Sequence, residues 1–188
     1  MMNDLRQLVT HINNPLLETI TDANLNYHLW WKLRGPERPK YDDTMNKYRL
    51  LFSTSIRSYF NTLIILLYKL FDTDNRTNNM NRLVSAVEVD RSFSKEEINY
   101  IQKQREKALV IWKKVTILRN NYFAHLKFEI DEKNLYRLAK ITPDELKELI
   151  NLSIDILNRI RQHYREAEIT LISPEDDIDR LFEDLGSK

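Results

Sequence analysis

Apolar side chains recur three and four residues apart along nearly the whole chain, the spacing that places them on one face of an α-helix. Asn14 followed by Pro15 reads as the N-cap and first-turn proline of a helix that runs through Trp30 and Trp31 and breaks at Gly35-Pro36-Glu37-Arg38-Pro39. Asp42 and Asp43 open a long central helix, in which Tyr48, Leu51, Ser55, Tyr59, Leu63, Leu66 and Leu70 keep the spacing until Asp72-Thr73-Asp74-Asn75 stops it. A shorter amphipathic segment, about Asn78 to Val89, follows. Ser94-Lys95-Glu96-Glu97 then has the pattern of a capping box, in which the first and fourth side chains satisfy each other's backbone amides. Thr142-Pro143-Asp144-Glu145 repeats that signal with a first-turn proline and predicts a helix to about Ile169. Ser173-Pro174-Glu175-Asp176 opens a last short acidic helix, 174–185, through Leu181, Phe182 and Leu185. Only Gly35 and Gly186 are glycine, too few for strands joined by tight turns. The expected fold is therefore all-α, with five to six helices.

Composition changes this picture in three ways. At 188 residues, 42% hydrophobic and 30% charged, the chain is long enough for one sizeable core and is expected to form a single domain, 1–188. Twenty-nine Lys and Arg against 28 Asp and Glu leave a formal charge of +1, so any nucleic-acid contact must come from a local patch. The absence of cysteine excludes disulfides and thiol chemistry and leaves His, Asp and Glu as metal ligands. Met1-Met2-Asn3-Asp4-Leu5-Arg6 lacks the apolar run of a secretion signal, which points to the cytoplasm. The longest apolar run, Tyr59 to Phe71, is interrupted by Asn61, Thr62 and Lys69. It reads as a buried core helix too short to cross a bilayer, so no membrane is expected.

Chemistry concentrates in Leu118-Arg119-Asn120-Asn121-Tyr122-Phe123-Ala124-His125-Leu126. Ile98, Ile101, Ala108, Trp112 and Val115 share one helical face, and Arg119, Tyr122 and Phe123 continue it, so the arginine is placed on the core or partner side. His125 follows where the helical signal fades. On a straight helix it would lie about 120° around from Arg119, so the two side chains converge only through a bend or a second copy. A forked guanidinium suits a phosphate oxygen, and an imidazole moves protons near neutrality. Spacing alone equally fits a histidine that caps a helix or sits in a core.

The segment resembles the R-x(4-6)-H signature of the HEPN superfamily, small all-helical proteins many of which are metal-independent ribonucleases. Leu-Arg-Asn-x-x-Phe-Ala-His-Leu is similar to the abortive-infection AbiU-type branch, as is Tyr68-Lys69-Leu70-Phe71-Asp72 at the end of an apolar helix. The resemblance runs from about Leu25 to Ile160. It implies a HEPN-like helical bundle, Arg119 and His125 as catalytic residues, and Asn120 as the polar residue that orients the site or binds phosphate. Asn121 and Tyr122 are adjacent supporting candidates. It further implies a homodimer in which two motifs face one cleft, RNA as substrate, and an antitoxin as a possible partner; no cofactor or metal is implied. Lys127 stands where many antitoxin-paired members have a tyrosine, so regulation through that tyrosine does not transfer.

Other candidates carry blander readings. From Arg91 to Arg119 eight basic residues stand against Glu96, Glu97 and Glu106, a surplus that suits phosphates or a solvated helix face. Asp72 and Asp74 lack the glycine and final glutamate of a calcium loop and read as loop solvation. His11, His28 and His163 are dispersed, and Trp30 and Trp31 read as packing before base stacking. No phosphate-binding glycine loop or nucleophile-elbow serine occurs. Two functions remain: a HEPN-type endoribonuclease of phage defence or toxin type, and a non-catalytic helical module binding nucleotide, RNA or a protein.

Overall fold

The computed structural model describes residues 2–74, 76–123 and 139–186, and among these the regular structure is helical throughout. α1 (Met2–Arg34) passes through Pro15 without a break, so the helix start expected at Asn14-Pro15 is corrected. A proline inside a helix costs about 3 kcal/mol through its missing amide and its clash with an earlier carbonyl. Val9, Ile12, Leu16 and Ile20 flank it and are at most 1% exposed. At roughly 1.5–3 kcal/mol for each such side chain, burial outweighs the local penalty. α1 stops where predicted: a Cβ on Gly35 would lie 2.6 Å from the Trp31 carbonyl oxygen, so only glycine lets the chain turn there.

A short 3-10 turn (Arg38–Tyr41) leads into α2 (Asp42–Lys47) and α3 (Arg49–Leu70). The single helix expected from Asp42 is thus two, divided at Tyr48, whose φ of −115° and ψ of 39° leave the helical region. The break lets α2 turn Met45 toward a second apolar cluster while α3 faces α1 and α5. It also moves the buried stripe. Phe52, Phe60, Leu63, Ile64, Leu67 and Leu70 are buried, whereas Leu51 is 62% exposed and Tyr48 is exposed as well, contrary to the periodicity drawn through them. α3 as a whole, Arg49–Leu70, is long and apolar enough by length and composition to cross a bilayer, with mean hydropathy 1.4, although the apolar run from Tyr59 is shorter than that. Here its inner side packs against α1, with Phe60 on Trp30 at 5.2 Å.

α4 (Met80–Val89) starts at Asn79, whose side chain accepts from the Arg82 amide at 2.9 Å. α5 (Lys95–Phe123) and α6 (Pro143–His163) open with the two capping boxes read from sequence. Ser94 and Glu97 exchange bonds of 2.9 and 3.2 Å, and Thr142 and Glu145 bonds of 3.0 and 3.2 Å. α6 ends at His163 rather than near Ile169. Arg165 takes a left-handed φ of 59°, and the Asn158 side chain bonds both the amide and the carbonyl of Ile169, at 3.0 and 2.9 Å, tying the chain after the helix back to α6. α7 (Glu175–Gly186) closes the described chain.

α1, α3, α4, α5 and α6 enclose the main core. α7 docks outside it on a second cluster, where Phe182 packs against Tyr41 and Phe52 at 4.3 and 5.2 Å. Seven α-helices are present among the described residues, against five to six expected; the short α2 accounts for the difference.

Candidate functional site

α5 carries the motif on the flank of its buried stripe. Ile101, Ala108, Val115 and Leu118 are at most 1% exposed, which places Leu118 in the core and Arg119 on the half-buried rim. The sequence reading ran the stripe through Arg119; the packed face is turned one residue toward Leu118. This puts the guanidinium beside the last turn of α3, with its carbon 4.6 Å from the centre of the Tyr68 ring.

Tyr68 is itself fixed. Its ring stacks on Trp112 at 5.8 Å and 26°, and the Trp112 indole donates to the Tyr68 carbonyl at 2.9 Å. That carbonyl lies in the final turn of α3, where helix geometry leaves oxygens without intrahelical partners. The Phe71 carbonyl is met similarly by Asn81 at 3.0 Å, and Arg105 holds Asn81 at 2.9 Å. The end of α3 is therefore knitted to α5 by side chains that sequence reading assigned no role, and it presents an aromatic face to Arg119. Such a cation over a ring contributes on the order of 1 kcal/mol and, more usefully, restricts a flexible side chain.

Arg119 also donates from Nη1 to Asn120 Oδ1 at 3.0 Å, which brings these two motif residues into contact. Arg119 has no carboxylate partner among the described residues. Asn121 is turned to a different task, donating to the Ile117 carbonyl one turn back at 2.7 Å, which satisfies it within its own helix. Tyr122 lies in α5 with its side chain outside the described residues, and His125 is outside them entirely. The basic surplus divides: Arg105 is bound to Asn81, Lys114 is ion-paired with Glu145, and Lys103, Lys107 and Lys113 are exposed. Burial would raise the Glu145 carboxyl, but Lys114 and the Thr142 cap together hold it below its ordinary range.

The chain's other signals resolve as structure. Trp30 is buried on Phe60, and Trp31 lies under Gly35. Asp74 binds Arg76 at 2.8 Å in the loop after α3. His163 stacks on Phe93 at 3.7 Å, and His28 joins α1 to α6 and α7. Among the described residues no three His, Asp or Glu side chains cluster as metal ligands do.

The family model for AbiU2 among HEPN domains matches residues 5–184. The chain belongs to the HEPN AbiU2 family. No curated protein and no solved structure matches it significantly. The match covers α1 to α7, so AbiU2 membership includes the C-terminal helix as well as the span from Leu25 to Ile160 in which the resemblance was read. Tyr68 and Trp112 were missed as site residues because each reads as one more apolar position of its own helix. The signal in the sequence was Tyr68 at the start of the Tyr68-Lys69-Leu70-Phe71-Asp72 segment, and nothing local connects it to α5.

Proposed function

We propose that this AbiU2 protein is a metal-independent endoribonuclease of phage defence, acting by abortive infection or as a toxin, with Arg119 and His125 at a cleft between two copies. The observation that carries the reading is Arg119 itself: a guanidinium seated on Tyr68, bonded to Asn120 and paired with no carboxylate among the described residues. A cation held this way keeps donors for a phosphate oxygen. In the reaction, the ribose 2′-oxygen attacks the adjacent phosphorus as His125 moves its proton, and the bond to the 5′-oxygen of the next nucleotide breaks. Arg119 stabilises the charge growing on the phosphate oxygens. The product ends in a cyclic phosphate.

The homodimer in this reading is supported by apolar side chains that both helices leave in water. Only 28% of the apolar stretch of α3 is buried; Leu51 and Ile65 on α3 and Val110 and Ile117 on α5 are all exposed. A second copy covering that face would bring in a second motif. A cytoplasmic site of action and a cognate antitoxin belong to the same reading.

The test uses single-stranded RNA and a DNA of the same sequence, both in EDTA. RNA is cut and DNA, without a 2′-hydroxyl, is not; His125→Ala removes cleavage while helical content and the dimer mass by light scattering persist. Cutting of DNA, or undiminished cleavage by His125→Ala, contradicts the assignment. An intact dimer that binds RNA and never cuts it makes the protein a binding module instead.

A further inference from the structure

The crossing of α1, α6 and α7 holds a lysine whose surroundings differ from those of its counterparts. Asn24, Tyr27 and His28 stand three and four residues apart on one face of α1, and Lys147, in the second turn of α6, is brought against them. Its Nζ donates to Asn24 Oδ1 at 2.6 Å and to His28 Nε2 at 2.8 Å. Both acceptors are neutral. Lys32 and Lys114, also at helix interfaces, are closed on carboxylates instead: Lys32 on Glu37 and Asp179, Lys114 on Glu145.

Each of the two acceptors is fixed from behind. Asn24 is 1% exposed and its Nδ2 donates to the Ile172 carbonyl at 2.7 Å, so its oxygen is the atom turned to the amine. His28 donates from Nδ1 to Glu175 Oε1 at 2.6 Å, with the Ser173 hydroxyl 3.2 Å from the same nitrogen. The proton is thereby held on Nδ1, and Nε2 is left as an acceptor. Amine, imidazole and carboxylate then stand in series, the order of a nucleophile, its base and the group that orients the base. A neutral amine has two N–H groups, which Asn24 and His28 accept, and a lone pair that remains for an electrophile.

The electrostatics favour that neutral form. Burial lowers the Lys147 pKa below its ordinary value, against the pull of Glu175. Burial likewise lowers the His28 value, so the imidazole stays neutral and able to take a proton. Tyr27, with its ring 5.4 Å from Nζ, brings no compensating phenolate: burial, then Asp144 and Glu175, pushes its pKa up to about 12. Lys147 is half-buried, and Ile172 and Ser173 beside the cluster are exposed, so the amine lies close to water.

We propose that Lys147 is an acylation site, whose Nζ takes an acyl group from an activated donor, an acyl phosphate or a thioester. The nitrogen attacks the carbonyl carbon of the donor and a C–N bond forms. The bond from that carbon to the phosphate oxygen or the sulfur breaks, and the proton lost by nitrogen passes to His28 Nε2 and on to the departing phosphate or thiolate. The resulting amide is uncharged and keeps one N–H for two acceptors, so acylation also loosens the join of α1 to α6. This inference does not rest on the ribonuclease reading, because the two sites share no residue.

Treatment of the full chain at about pH 7 with acetyl phosphate, and separately with acetyl-coenzyme A, followed by mass spectrometry of each lysine over time, tests it. Lys147 is acetylated at least about tenfold faster than the exposed Lys103, Lys107 and Lys113, and its rate reaches a plateau at a lower pH than theirs. His28→Gln, with circular dichroism unchanged, slows labelling of Lys147 by about tenfold or more and leaves the exposed lysines as they were. A merely structural contact predicts the reverse, since loosening the cluster would expose the amine and speed its labelling. Labelling by only one of the two donors identifies the donor class, and the site stands. Lys147 labelled by neither donor, or no faster than the exposed lysines, or at a rate that His28→Gln leaves unchanged or raises, overturns the assignment.

Discussion

Lys32 and Arg119 are both cations at helix interfaces, and their surroundings are opposite. Lys32 is 8% exposed and donates to Glu37 at 2.9 Å and Asp179 at 3.1 Å, with Asp179 also accepting from the Tyr41 hydroxyl. Burial would lower the lysine pKa, but those carboxylates raise it above its ordinary value, so the charge is kept and closed on its neighbours. Arg119 rests on an aromatic ring and an amide, neither of which neutralises it. The difference separates two surroundings for a charge: the α7 dock closes its cation on two carboxylates, whereas the cation at the end of α5 meets no carboxylate among the described residues.

Substitutions that exchange these roles sharpen the contrast. The largest effect is expected at Arg119→Ala: a loss of about 10²–10³-fold in RNA cleavage rate, on the order of 3–4 kcal/mol in the transition state, with the melting temperature nearly unchanged. Phe182→Ala should do the reverse. It empties the space between Tyr41 and Phe52 and destabilises the fold by about 3 kcal/mol in chemical denaturation, without lowering cleavage under conditions where the protein remains folded. Lys32→Met, which leaves Glu37 and Asp179 without their shared partner, should lower the melting temperature by less than Phe182→Ala does, because both carboxylates are partly exposed. A variant at Lys32 that abolished cleavage in the folded protein would break the division between the two regions.

How far these regions could be read in advance depends on how local their causes are. The Ser94 and Thr142 capping boxes were legible because four consecutive residues contain both partners. Pro15 misled for the same reason: a local rule signalled a start, and the burial of Val9, Ile12, Leu16 and Ile20 overrode it. Tyr48 and Leu51 kept helical spacing, but spacing does not say which of two faces meets the core. Arg119 and Asn120 could be singled out because they stand in a contiguous motif. The seat formed by Tyr68 and Trp112 was not, because it arises from the crossing of α3 and α5.

The smallest expected effect lies in the α7 dock and depends on pH. His28 donates from Nδ1 to Glu175 at 2.6 Å and accepts at Nε2 from Lys147 at 2.8 Å; Lys147 also donates to Asn24 at 2.6 Å, Ser173 lies 3.2 Å from Nδ1, and Tyr27 packs edge-on. Burial first, then Lys147, lowers the His28 pKa below its ordinary 6.5 despite the opposing pull of Glu175. A histidine with a depressed pKa contributes stability above the unfolded value that is lost as pH falls. The melting temperature should therefore drop as pH falls below the ordinary histidine value of 6.5, and His28→Gln should flatten that slope. Glu97, Asp90 and Glu145, whose carboxyl values are also lowered, act in a separate window below about pH 4. A slope that His28→Gln leaves intact would assign the transition to other groups.

The central claim is that an open arginine and a histidine cut RNA by attack of its own 2′-hydroxyl. Mass spectrometry of the RNA ends made by the purified chain in EDTA measures this directly. The account predicts 5′ fragments ending in a 2′,3′-cyclic phosphate and 3′ fragments beginning with a 5′-hydroxyl, formed about 10²–10³-fold more slowly when Arg119→Ala replaces the wild type. Fragments ending in a 3′-hydroxyl and beginning with a 5′-phosphate, or the same ends from Arg119→Ala at an undiminished rate, would contradict it.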